Sequence, residues 1–484
     1  VLKLPATAET VPWRTGLGAT VTSMGDSTGG EIMTEAKPSA GVPLRTADAP
    51  DTDPRTWWTR PGLEIRHGRL FIAGRDAEAL AREHGTPLYV YDVTHVIEQI
   101  RGVHDALART GLPFKVRYAL KAQREPEILR AVRALGTVGM DVCSPGEVAH
   151  ALANGWRPEE ISYTGTNVSE RDLDAIFAAG VHINVDLLSQ LRRVGRRRRA
   201  ALDAAAGGAS APLGPAGGRV GIRINPRAGA AHRYVPVGQS PDDELRFGVY
   251  AGQKPTKFGI YPDQLDDAVR IAREYDLTID TVHFHVSHQL LNEDLPAFDD
   301  AVGKAAAMIR HLQEAGCPIE EVNTGGGLGN PLGPGDEPLD LDAWAGILAR
   351  HLGPLGVTIA TEPGEYFTNR CGIVLTEVVT VEDRLGVPFI GITAGWNVMP
   401  IRFVWGEFFE LVNCTAADAP RTQRVTISGH INEAPDLFAE DYPFPPTQEG
   451  DIVAILEAGS YCQAVANTHC MRPVAPALFF HDRL

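Results

Sequence analysis

From Pro87 onward the chain alternates short runs of β-branched and aromatic residues with longer stretches of helical periodicity. Leu88-Tyr89-Val90-Tyr91 precedes a helical stretch from Val93 to Thr110, and Lys115 to Ala119 precedes another from Pro126 to Leu135. Further strand-like runs stand at Gly139 to Val142, Ile161 to Tyr163, Ile183 to Asp186, Val220 to Ile224, Thr281 to His285, Glu321 to Asn323 and Val357 to Ala360. Strands alternating with helices predict βαβ units and a parallel sheet. Eight or so repeats over roughly 280 residues fit a closed β/α barrel, whose usual size is about 250 residues. An open doubly wound sheet is the alternative, but no GxGxxG follows the first strand.

The rhythm fades after about Phe367. Gly372 to Val381, Val387 to Thr393, Arg424 to Ser428 and Asp451 to Leu456 read as β-strands, so a β-domain follows the barrel. Residues 1–55 are rich in Thr, Ser, Gly, Pro and Ala and too poor in large apolar side chains to order themselves, which predicts a tail or strap. The expected organisation is therefore 1–55 as that tail, 56–86 as the start of the β-domain, 87–366 as the barrel and 367–484 as the C-terminal β-domain. Two segments interrupt the barrel: Arg192 to Gly218, with arginines at 196 to 199 expected on a solvated helix end, and the long polar stretch Arg227 to Pro255.

With 44% hydrophobic and 22% charged residues the balance is that of a soluble globular protein. The net charge of -16 argues against nucleic acid as the main partner. Six scattered cysteines (143, 317, 371, 414, 462 and 470) form neither a zinc pattern nor a disulfide framework, so no metal is expected and the reading is free thiols in a reducing cytoplasm. No stretch approaches the ~20 apolar residues of a membrane span, and no signal peptide is visible.

Active sites of such barrels lie at the carboxyl ends of the strands. Those ends supply Lys121, Asp141, Arg223, His285, the triplet Gly325-Gly326-Gly327 and Glu362. Lys121 follows a strand that would bury its end in the barrel mouth, where desolvation lowers a lysine pKa and makes the amine a nucleophile. The glycines offer backbone N–H groups to a phosphate. Singly, each has a bland reading: a solvated lysine, a core histidine, plain turns. Together, a lysine, a histidine, a phosphate cradle and a late carboxylate are the parts needed to bind an aldehyde cofactor with a phosphate tail.

The chain resembles the diaminopimelate and ornithine decarboxylase family, which has the alanine racemase type of barrel. The matching stretches are Gly85 to Asp92, Tyr118 to Ala122, Asp141 to Glu147, Lys257 to Ile260, His283 to His285, Gly325 to Gly329, Glu362 to Gly364 and Glu457 to Tyr461, in family order. The resemblance implies a pyridoxal 5'-phosphate enzyme that decarboxylates an amino acid, with Lys121 holding the cofactor as a Schiff base. It implies His285 stacked on the pyridine ring, Glu362 facing the ring nitrogen, and Gly325, Gly326, Gly327 and Tyr461 on the phosphate. Arg223 and Asp141 would lie near the ring. A homodimer with shared sites is implied.

Four departures bear on the substrate. Asn432 stands where the family has its catalytic cysteine, and an amide is a poor general acid, which leaves Lys121, a water or His288 as the proton source. Glu433 and Asp436 remain, expected to reach the partner subunit's site. The usual Glu-Pro-Gly-Arg is Glu362-Pro363-Gly364-Glu365, and an anion at Glu365 would favour a cationic substrate group, against diaminopimelate itself. His288 replaces a phosphate-binding serine, and Arg402 is a shifted counterpart of the arginine that grips a distal carboxylate. The acidic variant and Asn432-Glu433-Ala434 are similar to the D-ornithine/D-lysine decarboxylase-like branch. A basic substrate (ornithine-, lysine- or arginine-like) is expected; the alternatives are a larger conjugate in polyamine, siderophore or antibiotic biosynthesis, and a catalytically inactive regulatory homologue.

Overall fold

The computed structural model describes residues 56–207, 218–231, 255–401 and 409–483. Eight parallel strands close into a barrel: Phe114–Ala119, Val138–Val142, Ile161–Gly165, His182–Val185, Arg219–Arg223, Thr278–His283, Glu321–Asn323 and Thr358–Thr361. The last pairs back onto the first, Ile359 opposite Phe114, so no edge is left exposed. Most connections are helices whose apolar faces pack on the barrel. Helix Val93–Arg109 shows how: Asp92 caps it by accepting from the His95 N–H, and Val93, Val96, Ile100, Val103 and Leu107 recur at helical spacing as its buried stripe.

The second sheet runs Leu411–Asn413, Ile452–Ile455, Gly372–Arg384, Val387–Ile392, Gln423–Ser428, Leu437–Phe444. The strand Leu88–Asp92, expected to open the barrel, belongs here instead: it pairs antiparallel with Gly372 to Leu375 and parallel with Ala477–Phe480. Its five residues are all buried, so it shows no alternation that would tell a barrel strand from a sandwiched one. Residues 56–86 form a small three-stranded sheet and the helix Ala77–His84, and Trp58, Leu63, Leu70 and Ile72 pack with Ile373, Leu375 and Val412 of the second sheet.

The arginine cluster lies within the helix Leu188–Ala206 rather than at an interruption. Arg197 pairs with Glu170 and Asp174 of the preceding helix, which accounts for its charge locally. Most of the Arg227 to Pro255 segment, and Arg402, lie outside the described residues. Among the described residues no helix is long and apolar enough to cross a membrane.

Candidate active site

The carboxyl ends of the barrel strands meet in one cavity. Lys121, Asp141, Arg223, His285, Gly326, Gly327, Glu362 and Tyr461 all line it, and His288, Glu365, Cys143 and His283 share its wall. Gly325 stands just behind them.

Lys121 sits two residues past its strand, in a loop pinned on both sides. Leu120 N–H donates to the Asp141 carbonyl at 3.0 Å, and Tyr461 N–H donates to the Ala122 carbonyl at 2.8 Å. The amide of Gln123 reaches the Gly459 carbonyl at 3.2 Å. The backbone is fixed while the lysine side chain opens into the cavity. Its proton affinity differs from expectation. Burial alone lowers it, but the Tyr461 phenol, Asp141 and Glu362 together outweigh burial and raise it above the ordinary lysine value. Asp141 shifts upward too, first through burial and then through repulsion from Glu362. Its Oδ1 is buried without a hydrogen-bond partner among the described residues.

The glycine loop follows the strand Glu321–Asn323. A Cβ on Gly326 would lie 2.6 Å from the Glu362 carbonyl oxygen, and one on Gly327 only 2.0 Å from that of Ser287, so side chains are excluded there. The loop offers fewer donors than the sequence implies. Gly325 N–H is taken by Asn323 Oδ1 at 3.0 Å and Gly326 N–H by His285 Nδ1 at 3.2 Å, whereas Gly327 N–H has no partner among the described residues. Because a backbone N–H can only donate, His285 Nδ1 carries a lone pair and the ring proton is on Nε2. The neutral ring agrees with its environment: burial, then the charges of Lys121 and Arg223, push its proton affinity well below the histidine range.

Glu362, 8% exposed, is held at both oxygens: His283 Nε2 donates to Oε1 at 2.8 Å and Asn323 Nδ2 to Oε2 at 2.7 Å. Burial would raise its pKa; His283, Asn323 and Lys121 outweigh that and bring it down to about 2. His283 and Asn323 are functional candidates that sequence reasoning missed. Both end strands whose other members are core residues, and the alternation His283, His285 was the available signal.

Arg223 is placed by a cluster beneath it. Its guanidinium lies 4.4 Å over the Phe258 ring, and Nη1 is 3.8 Å from Asp186 Oδ1, which also accepts from Gly259 N–H at 2.9 Å. Glu365 does not present a free anion. Its Oε1 accepts from Gln289 Nε2 at 2.5 Å and Asn369 Nδ2 at 3.2 Å, and burial pushes its carboxyl above the usual range.

The loop of Asn432, Glu433 and Asp436 stays out of this cavity. Asn432 and Glu433 are exposed, and Glu433 Oε1 lies 3.3 Å from His469 Nε2. Asp436 is buried and committed to the fold, accepting from Trp396 N–H at 2.8 Å and Ile431 N–H at 2.6 Å, which clamps two loops together. A substrate contact by that carboxylate would break the clamp.

Residues 93–369, more than half of the chain, match the family model described as "Pyridoxal-dependent decarboxylase, pyridoxal binding domain". The diaminopimelate decarboxylase of Methanothermobacter thermautotrophicus is 31% identical over 422 residues, covering 85% of this chain and 91% of that protein. The chain belongs to the pyridoxal-dependent decarboxylase family. Solved structures agree across the family. M. jannaschii diaminopimelate decarboxylase in complex with L-lysine has a TM-score of 0.74 at 26% identity, covering 86% of this chain and 92% of that one. The Helicobacter pylori enzyme with L-lysine has a TM-score of 0.69 at 25% identity, covering 83% and 93%. This decarboxylase is thus a fold-type III enzyme acting on amino acids with pyridoxal phosphate as cofactor. Its cavity fits that cofactor: an amine for the aldehyde, a buried anion, a glycine cradle that any Cβ would fill and the orphaned Asp141 Oδ1.

Proposed function

We propose that the substrate is an α-amino acid with a distal amino group, decarboxylated at the cavity around Lys121. The observation that carries this reading is Glu362, a buried carboxylate held anionic by His283 and Asn323 in the same cavity as a lysine amine. When bound, pyridoxal phosphate supplies an electron sink for the pair left behind by departing CO2. Lys121 Nζ would hold the cofactor's aldehyde. Glu362 would keep its ring nitrogen protonated by charge. The neutral His285 ring, its plane fixed by the Nδ1 bond to Gly326, would pack against the cofactor. Gly326, Gly327 and Tyr461 would hold its phosphate, with the Gly327 N–H as a donor.

A distal amino group is supported by two relatives: the curated one is a diaminopimelate decarboxylase, and the Helicobacter pylori diaminopimelate decarboxylase was solved with L-lysine. A homodimer completes the site in this reading: Asn432 and Glu433 are exposed, and Met471, Val474 and Val465 nearby are 95%, 52% and 47% exposed, an apolar surface that a second copy would cover. Glu433 of that copy then meets the distal cation. The six cysteines form no disulfide with one another, which supports a reducing, cytoplasmic setting.

The test has two parts. Purified protein shows a near-visible cofactor band that Lys121→Ala abolishes, and CO2 is released from D- or L-ornithine, lysine, arginine or diaminopimelate. Colourless protein that takes up no cofactor sinks the whole reading; turnover confined to amino acids lacking a distal amine sinks the substrate class.

A further inference from the structure

Glu365 is a buried acid in the cavity wall whose partners are amides rather than cations. It opens the short helix Glu365–Thr368 and is 8% exposed. Gln289 Nε2 and Asn369 Nδ2 both converge on Oε1, at 2.5 and 3.2 Å. The orientation of Gln289 is not ambiguous. Asn330 N–H donates to its Oε1 at 3.1 Å, so its NH2 end must face Glu365. Gln289 is locked beneath the glycine loop, since a Cβ on Gly329 would lie 2.5 Å from its backbone. Among the described residues no Lys, Arg or His nitrogen lies within 4.0 Å of the Glu365 carboxyl. The charged or titratable groups that face it are His288 from the segment after the histidine strand and Lys121 from the first barrel loop, and burial outweighs both.

Among the described residues Oε2 has no hydrogen-bond partner, and it opens to the cavity shared with Gly326, Gly327 and His288. An anionic Oε2 there would repel a phosphate. A neutral carboxyl would not: Oε1 behaves as the carbonyl oxygen that takes two N–H donors, and Oε2 keeps the proton as a donor.

We propose that Glu365 works as an uncharged acid whose Oε2–H donates a hydrogen bond to the phosphate end of the cofactor, doing with a neutral donor what a cation would otherwise do. This rests on the preceding reading that the glycine-loop end takes the phosphate. Glu365 is a positioning and binding residue here; it transfers no proton during turnover.

The experiment compares holoenzyme and apoenzyme of the wild type, Glu365→Gln and Glu365→Ala. Dissociation constants for pyridoxal phosphate and for pyridoxal, which lacks the phosphate, are read by spectral titration from about pH 6 to about pH 9. Their ratio isolates the phosphate contribution. Glu365→Gln retains a neutral group able to donate, so the ratio at neutral pH stays within about threefold of wild type. Glu365→Ala loses about tenfold or more. The wild-type ratio falls at high pH more steeply than that of Glu365→Gln, because only the acid can ionise. A difference infrared spectrum of wild-type holoenzyme labelled with 13C-glutamate shows the C=O stretch of a protonated carboxyl, a readout that needs no variant to fold. The proposal is overturned if Glu365→Gln binds pyridoxal phosphate more than about threefold tighter at neutral pH, or if the labelled protein shows only carboxylate bands. Failure of the parent reading looks different: no wild-type preference for pyridoxal phosphate over pyridoxal at all.

Discussion

Glu362 and Glu365 stand three residues apart on one turn, both 8% exposed and both in the wall of one cavity, yet the protein treats them oppositely. Each oxygen of Glu362 has its own donor, one of them a histidine nitrogen, and the carboxyl drops to about 2. Glu365 has two amides on a single oxygen, and burial pushes it up. Burial is a similar penalty for both. What separates them is that a histidine nitrogen bonds Glu362 directly whereas His288 and Lys121 act on Glu365 only from a distance, and that donors cover both oxygens of Glu362 but one of Glu365. A carboxylate in a barrel mouth is therefore not a fixed chemical species; its shell decides whether it is an anion or a hydrogen-bond donor.

The largest expected effect breaks the Glu362 side. Glu362→Gln removes the anion while keeping the shape, and kcat falls on the order of a hundredfold, the scale of one preorganised charge. Steady-state turnover checks this, and an unchanged kcat would show that the anion has no catalytic part. The same variant removes one of the charges that raise Lys121, so the amine loses its proton more readily and cofactor loading at neutral pH speeds up by about three- to tenfold, read as the rate of band growth.

His283→Leu takes away the donor to Glu362 Oε1, and kcat falls about tenfold, a typical loss for a partner one layer behind a reacting group. It also shifts acid unfolding. Glu362 lies below its ordinary 4.5 at about 2, so its contribution to stability is present above pH about 4.5 and is lost as pH falls towards about 2. The variant has less to lose, and its stability curve over that window is flatter. Glu365 has the reverse sign: a raised carboxyl gives stability that is present below 4.5 and lost as pH rises through the raised value. Glu365→Gln accordingly flattens the curve as pH rises above about 4.5, and denaturant titrations at several pH values measure both slopes.

The smallest effect tests the Glu365 shell. Gln289→Leu strands Glu365 Oε1 with one donor and leaves Asn330 N–H unpaired, costing about 1–3 kcal/mol of stability with turnover nearly unchanged. A hundredfold loss of kcat there would mean that the two glutamates are one functional unit.

Much of this site could be read along the chain. The barrel followed from alternating strands and helices, and Lys121, His285, Glu362 and the glycines emerge at strand ends where such folds do chemistry. Three things could not be read. Leu88–Asp92 is buried on both faces, so its partner sheet leaves no periodic trace. His283 and Asn323 look like core residues until the strands that carry them are set side by side. The charge of Lys121 and of Glu365 depends on neighbours far along the chain, and spacing says nothing about which of burial or counter-charge prevails.

The bond from Tyr461 N–H to the Ala122 carbonyl has a consequence for how the enzyme comes into being. A ribosome releases the whole barrel well before it releases Tyr461, and the strand Ala477–Phe480 that seals Leu88–Asp92 emerges later still. The lysine is thus present early, but the clamp that sets its loop arrives only with a segment synthesised after the barrel. A nascent barrel carries the amine without the geometry to use it, so commitment to the cofactor waits for the residues around Tyr461.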